Sequence, residues 1–349
     1  MTTATIMTTA NVAAVLLFVG VIAYAVFAGA DFGSGVWDLF AGSAEKGGLV
    51  RAQIDHSIGP VWEANHVWLI YVIVFLWSAF PRASAAIFTT LFIPWIFVGL
   101  GIVLRGGGFA FRKFSNTLDR ARIFGAVFAV SSIITPFFLG MIAGGIANGR
   151  VPLSGGDAWT SWTGPTSWVG GVLAVLTCAF SAAVFLAADA QRSGHTEMAK
   201  HFGRSAILCG AITGIVALVA IIPIRLDSKI LAGRLQGRAA PLVVISALAG
   251  LAAMWDLRSG RYIRARLSAV VAVGSIVTGW GVAQYPDVLI GHATIAEVAG
   301  ARPTLIGLII VFAIAAVTAV PALLWLYVLV DREKTAPIHQ TATSADRVD

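Results

Sequence analysis

The stretch Ser57-Ile58-Gly59-Pro60-Val61-Trp62-Glu63-Ala64-Asn65-His66-Val67-Trp68-Leu69-Ile70 opens a run of residues long enough to cross a membrane. Pro60 suits the first turn of a helix, where its missing N–H would have no partner in any case. Uncharged, mostly hydrophobic residues continue to Phe80. On such a helix Glu63 and His66 are three residues apart and share a face. An ionisable pair at the start of a membrane-length helix indicates a functional site.

Composition extends this interpretation to the whole chain. Of its 349 residues, 58% are hydrophobic and 12% are charged, whereas soluble domains carry about 25% charged residues. The net charge of +7 comes largely from loop residues beside apolar segments, which is typical of the cytoplasmic loops of membrane proteins. We therefore expect no nucleic-acid partner. The sequence predicts an all-α polytopic membrane protein in contact with the lipid bilayer.

Nine segments are long enough to span a bilayer, since each crossing needs about 20 apolar residues. They are residues 11–38, 58–80, 84–104, 123–146, 168–190, 205–224, 241–257, 267–285 and 304–330. The first has no basic region before it and is too long for a signal peptide, so we expect it to be retained. Phe27-x-x-Ala30-Asp31 recurs as Phe185-x-x-Ala188-Asp189. An internal repeat of four helices would fit that offset, but so would a chance match.

Basic residues predict the orientation. With the N-terminus outside, 17 of the 24 lysines and arginines fall in inner regions, as the positive-inside rule requires. Segment 225–240 disagrees, because it places four basic residues on the outer side. The sequence predicts an outer N-terminus and a cytoplasmic C-terminus.

With this orientation, the charged side chains of the first three segments meet on the inner side. They are Asp31, Asp38, Asp55, Glu63, His66, Arg105 and Arg112. A charge costs about 2.5–3.5 kcal/mol at the centre of a membrane helix, so we expect these groups to pair or to line a hydrated cavity. Asp31 with Arg105 could be a structural ion pair, and Arg112 could be a solvated anchor.

Glu63 is the hardest of these residues to explain structurally, because it lies inside the span. His66 could be an interhelical hydrogen-bonding group, a proton carrier or a metal ligand. We expect no metal site in this chain, because the histidines show no zinc or haem-attachment spacing. Cys178 and Cys209 fall in apolar segments and are expected to be small buried residues.

Three motifs resemble subunit II of the cytochrome bd quinol oxidases. They are Gly29-Ala30-Asp31-Phe32-Gly33-x-Gly35, then Ser57-Ile58-Gly59-Pro60-x-Trp62-Glu63-x-Asn65-x-Val67-Trp68-Leu69-Ile70, then Arg105-x-x-Gly108-Phe109-x-x-Arg112. Their order and spacing match across the first third of the chain. The remainder resembles the family in helix number and hydropathy.

The resemblance implies a bacterial cytoplasmic-membrane complex that oxidises quinol and reduces dioxygen to water. A larger subunit I would ligate the b-type and d-type haems, and this chain would ligate none. Small single-helix accessory subunits are further candidate partners. The family fold implies one membrane domain, 1–330, followed by a polar cytoplasmic tail, 331–349. The domain would comprise a four-helix bundle (1–146), a second bundle (168–285) and a peripheral ninth helix (304–330).

The resemblance also suggests roles for individual residues. A carboxylate at the position of Glu63 implies a proton path to the haem site, and Asp31 and His66 are further candidates for that path. Some family members have Gln in place of His66, so its role is the weakest of the three. Some members hold a structural quinone in subunit II, for which Trp68 and Arg105 are candidate lining residues.

Two other classes of protein remain open at this point. A proton-coupled secondary transporter would also carry intramembrane carboxylates, but paired broken helices are not evident in the two halves of the sequence. A purely structural scaffold for a redox partner is the third interpretation.

Overall fold

A computed structural model describes the backbone of residues 3–42, 47–58, 62–114 and 118–335. The elements in chain order are α1 (Thr3–Phe40), α2 (Gly48–Ile58), α3 (Trp62–Ala79), α4 (Pro81–Thr90), α5 (Phe92–Lys113), α6 (Leu118–Ala147), α7 (Pro165–Arg192), α8 (Thr196–Asp227), α9 (Lys229–Gln236), α10 (Ala240–Arg258), α11 (Tyr262–Gln284), β1 (Asp287–Leu289), β2 (Ala293–Thr294), α12 (Ile295–Val298) and α13 (Arg302–Thr335). The strands β1 and β2 form one short antiparallel hairpin.

The predicted all-α membrane fold is confirmed. Within the described residues, eight helices are long and apolar enough to cross a membrane. A ninth span is reached if α3 and α4, bent by 120° at the break between them, count as one crossing. Pro60 lies outside the described residues, so its predicted place in a first turn is not observed. The helix α13 ends at Thr335, five residues beyond the predicted segment, and residues 336–349 of the predicted tail lie outside the description.

The predicted third segment, 84–104, is wrong in its boundaries. The chain forms α4 up to Thr90, breaks at Leu91 and starts α5 at Phe92. Pro94 explains the break, because it has no N–H to donate to the carbonyl of Thr90 and its ring crowds that position. The first helical hydrogen bond of α5 therefore runs from the Trp95 N–H to the Leu91 carbonyl, at 3.2 Å. The third span then continues nine residues beyond the predicted end, to Lys113.

The helix α1 lies at the centre of the packing. It contacts α3, α6, α7, α11 and α13, and so joins the two predicted four-helix bundles to each other and to the last helix. Glycines permit its closest approaches. A Cβ atom at Gly33 would lie 1.8 Å from the Cys178 carbonyl oxygen on α7, and one at Gly35 would lie 2.3 Å from Ser132 on α6. The division into two bundles stays a prediction, since α6 also packs along α7.

Candidate functional site

A buried ion pair joins α1 to α5. Arg105 Nη2 donates to Asp31 Oδ1 at 2.7 Å and to the Asp31 carbonyl at 3.2 Å, while Arg105 Nε donates to Ser132 Oγ at 3.0 Å. The side chains of Arg105 and Asp31 are 1% and 2% exposed. The guanidinium carbon also lies 5.0 Å from the Phe32 ring centre and 5.1 Å from that of Phe128. Hydrogen bonds and two aromatic faces together compensate the buried positive charge.

A second, less buried cluster lies seven residues further along both helices. Asp38 accepts hydrogen bonds from Arg112 Nη1 at 2.6 Å and from Arg51 Nε at 2.9 Å. Arg112 also pairs with Asp55 on α2. Exposure rises along this sequence of contacts, from 3% for the Asp38 side chain to 12% for Arg112 and 48% for Asp55. The cluster therefore leads from a buried carboxylate to the protein surface.

The two clusters share one register. Asp31 pairs with Arg105 and Asp38 pairs with Arg112, so the same sequence offset of 74 residues separates both partners. Equal offsets require α1 and α5 to run parallel. The two ion pairs are seven residues apart on each helix, which is two helical turns or about 10.5 Å along the axis. We call this row of paired carboxylates and guanidinium groups the α1–α5 ladder. Two rungs of buried charge follow each other from the surface toward the centre of α1.

Glu63 lies in the first turn of α3, and its side chain is outside the part of the chain whose side chains are described. Its neighbours along α3 do contact α1. The side-chain amide of Asn65 donates to the Phe27 carbonyl at 3.4 Å. The half-buried His66 ring lies 5.8 Å from the Phe32 ring, between centres. Because Phe32 also lies against Arg105, this face of α3 borders the ladder at the Asp31 rung.

The two candidate quinone residues lie in different surroundings. Trp68 is partly buried and stacks on Phe27, with ring centres 6.5 Å apart, and lies edge-on to Tyr71. Arg105 directs its hydrogen bonds to Asp31 and Ser132, so a quinone carbonyl there would have to displace one of them. Arg105 therefore fits an ion-pair role better than a headgroup site. Trp68 offers an aromatic surface and an indole N–H.

Sequence reasoning missed several members of the site. Ser132 holds the Arg105 Nε–H, and Phe128 lies against both Arg105 and Arg112, with the Arg112 guanidinium carbon 5.1 Å from its ring centre. Arg51, which pairs with Asp38, is another such member. The serine pair Ser131-Ser132 inside an otherwise apolar segment was the available signal, because a buried hydroxyl in a membrane helix needs a partner.

The second half of the chain carries a related pair. Asp189 on α7 accepts a hydrogen bond from Arg266 on α11 at 3.0 Å, and the Arg266 guanidinium carbon lies 4.3 Å from the Phe185 ring centre. Asp31 and Asp189 of the repeated sequence pattern thus each pair with an arginine of another helix. The partners differ in position, α5 in one case and α11 in the other. Among the residues whose positions are described, no group of three His, Cys, Asp or Glu side chains could hold a metal ion.

Comparison with known proteins assigns the family. Residues 9–330 match the family model described as cytochrome bd terminal oxidase subunit II. Because this match covers most of the chain, the chain belongs to that family, and the resemblance noted in the sequence is confirmed.

Individual relatives agree with this assignment. The chain is 35% identical over 127 residues to cytochrome bd ubiquinol oxidase subunit 2 of Bacillus subtilis, a match covering 36% of each protein. It is 24% identical over 229 residues to a putative cytochrome bd menaquinol oxidase subunit II of the same organism, covering 64% of this chain and 65% of the relative. A match to the Escherichia coli cytochrome bd-I ubiquinol oxidase subunit 2 is 32% identical and covers 38% of this chain and 35% of that protein. Each match thus spans less than two thirds of the relative.

The fold is also known from a solved structure. A chain in the structure of bd oxidase from Geobacillus thermodenitrificans superimposes with a TM-score of 0.72, at 21% identity, over 92% of this chain and 98% of the other. At that identity the likeness concerns the fold.

Proposed function

We propose that this chain is subunit II of a quinol:oxygen oxidoreductase in the bacterial cytoplasmic membrane. Family membership and the names of the relatives support this activity. The partner would be a subunit I that ligates the b-type and d-type haems, which supply the oxygen-reducing chemistry. Single-helix accessory subunits and a structural quinone are further candidate components. This chain would stabilise subunit I and deliver protons to it from the cytoplasmic side.

One observation carries the proton-delivery role: the α1–α5 ladder, which reaches inward to the buried Asp31 and which Arg112 connects to the exposed Asp55 on α2. Reducing dioxygen to water consumes protons as well as electrons. If these protons come from the cytoplasm while quinol releases its own on the other side, charge separates across the membrane without a pump. An ionisable row that reaches inward from the predicted cytoplasmic side suits that supply.

In this scheme Glu63 is the carboxylate that exchanges protons, at the end of α3 that borders the ladder. Its place in the first turn of α3 is near the positive end of the helix dipole, which favours a negative charge. Asn65 and His66 hold the adjacent turn of α3 against α1. Asp31 with Arg105 would supply polar contacts for water beside Glu63, and His66 remains a candidate relay.

The test replaces Glu63 with Gln, which keeps the shape and removes the titration. Loss of a general acid–base group costs about 10²–10⁴-fold in rate, and water that bypasses the site would reduce this loss. We therefore expect Glu63→Gln to slow quinol-driven oxygen uptake per haem at least several-fold, with assembly and haem content unchanged. Glu63→Asp should retain partial activity, because a carboxylate remains.

Glu197→Gln is the matched control. Glu197 is an 88% exposed carboxylate near the start of α8, on the same predicted side of the membrane. Its replacement should leave oxygen uptake unchanged. Wild-type turnover in Glu63→Gln across pH 6 to 9 would show that Glu63 is structural and that protons enter elsewhere. A purified complex without haem absorption would instead contradict the oxidase assignment itself.

A further inference from the structure

Tyr24 continues the ladder one step deeper into the membrane. Tyr24, Asp31 and Asp38 follow one another at intervals of seven residues on α1, so all three lie on one face of that helix. The Tyr24 hydroxyl is buried and has no hydrogen-bond partner among the described residues. Its ring lies edge-on to Phe32, with centres 6.3 Å apart. The same Phe32 ring lies against Arg105.

The ladder register shows why α5 provides no hydrogen-bond partner for this hydroxyl. The α5 residues at the Asp31 and Asp38 rungs are Arg105 and Arg112. One interval earlier on α5 the residue is Val98, which is buried and has no side-chain donor or acceptor. A tyrosine is neutral near neutral pH, so this rung needs no counter-ion. Its hydroxyl nevertheless needs a hydrogen-bond partner.

Asp31 presents the matching free acceptor. Arg105 Nη2 binds Oδ1, while Oδ2 is buried without a partner among the described residues. Tyr24 and Arg105 both lie against the Phe32 ring, the Tyr24 ring centre at 6.3 Å and the Arg105 guanidinium carbon at 5.0 Å from the Phe32 ring centre, which places Tyr24 beside the Asp31–Arg105 pair. Leaving a buried polar group unsatisfied is costly, and two such groups near each other are commonly joined by a buried water.

We infer that one buried water accepts a hydrogen bond from the Tyr24 hydroxyl and donates one to Asp31 Oδ2. Tyr24 is then the deep end of the ladder and a positioning residue: it orients the water on the side of the Asp31–Arg105 pair that lies toward the middle of α1. This assignment rests on the proposed proton-delivery role. It extends that role by a residue that carries no charge and lies in no motif of the sequence.

The experiment compares Tyr24→Phe with Tyr71→Phe in the assembled complex. Both changes remove only a hydroxyl, but the Tyr71 hydroxyl already donates to the Leu16 carbonyl at 2.9 Å. We expect Tyr24→Phe to lower the kcat of quinol-driven oxygen uptake by about threefold or more. The quinol KM and the haem spectrum should not change. Tyr71→Phe should leave kcat at the wild-type value.

An experimental density map of the wild-type complex gives an independent measurement. It should show a water within hydrogen-bond distance of both Tyr24 and Asp31 Oδ2. A map that resolves other buried waters and shows none there would overturn the inference, even if Tyr24→Phe failed to assemble. So would equal kcat values for Tyr24→Phe and Tyr71→Phe. Wild-type kcat in Glu63→Gln with a slow Tyr24→Phe would contradict the Glu63 role and leave the Tyr24 assignment standing.

Discussion

Arg105 is an arginine at a depth where a charge is expensive unless it is fully compensated. Its guanidinium has a carboxylate, a backbone carbonyl, a hydroxyl and two aromatic rings around it. Removing one member of a buried ion pair costs about 3–5 kcal/mol, because the other charge is left uncompensated, whereas removing both can be nearly neutral. We therefore expect the net attraction within the pair to contribute little to stability, and the loss of one partner to reduce stability strongly.

This asymmetry gives a prediction for the thermal stability of the assembled complex. Arg105→Met should lower the unfolding midpoint strongly, because it leaves the Asp31 carboxylate buried without its partner. Adding Asp31→Asn to Arg105→Met should recover a large part of the loss. Asp31→Asn alone should also destabilise, since the guanidinium then lacks its counter-ion. Additive losses in the double variant would show that the two side chains do not act as a pair.

At the scale of the helices, glycines set the distance between α1 and α7. The motif Gly29-Ala30-Asp31-Phe32-Gly33-x-Gly35 surrounds the catalytic candidate Asp31, yet all three of its glycines meet neighbouring helices. Membrane helices gain little from the hydrophobic effect on association, so close backbone packing through small residues is a major source of their contact energy. The motif therefore serves both to place Asp31 and to let α7 and α6 approach.

Gly33→Ala should consequently disrupt assembly. Its Cβ would lie 1.8 Å from the Cys178 carbonyl oxygen and 2.7 Å from the Ala179 nitrogen, so the backbones of α1 and α7 must separate. Overpacking of this kind costs about 1–3 kcal/mol or more. The control is Gly214→Ala on α8, where nothing lies within 4 Å of the added atom. Equal thermal stability and yield of the two purified variants would be evidence against close α1–α7 packing.

The sequence predicts features that extend over a whole helix better than features that depend on one or two residues. Apolar segments of spanning length are a strong signal, and nine of them give the right fold class. The break at Leu91 is caused by Pro94. The continuous hydropathy of residues 84–104 gives no sign of it. The Asp31–Arg105 pair was anticipated as a structural alternative, because the topology placed both residues at one level. The serine pair Ser131-Ser132 signals a buried hydroxyl, but its partner Arg105 depends on how α5 and α6 are rotated about their axes. The Tyr24 hydroxyl, which has no partner among the described residues, depends likewise on the rotation of α1.

For the whole molecule, the orientation in the membrane remains a prediction, and segment 225–240 is its main difficulty. The structure gives most of these basic groups local partners. Arg234 pairs with Asp287 at 2.7 Å and donates to the Ala283 and Gln284 carbonyls at the end of α11. Arg238 donates to the Ala283 carbonyl at 3.1 Å, and Arg225 bonds Gln236. Cations are favourable at helix C-termini, so these arginines have local structural roles that do not depend on the side of the membrane.

With those residues explained, we expect the N-terminus outside and the C-terminus in the cytoplasm. Reporter fusions at Asp349 and within loop residues 148–164 should report opposite sides of the membrane, with Asp349 inside. Arg234→Ala with Arg238→Ala should lower thermal stability, since the α11 carbonyls and Asp287 lose their partners, but should leave both reporters unchanged. If these residues were instead topology signals, the double change would alter the proportion of chains in each orientation. Reporters on the same side, or Asp349 outside, would contradict the orientation and with it the cytoplasmic supply of protons through the α1–α5 ladder.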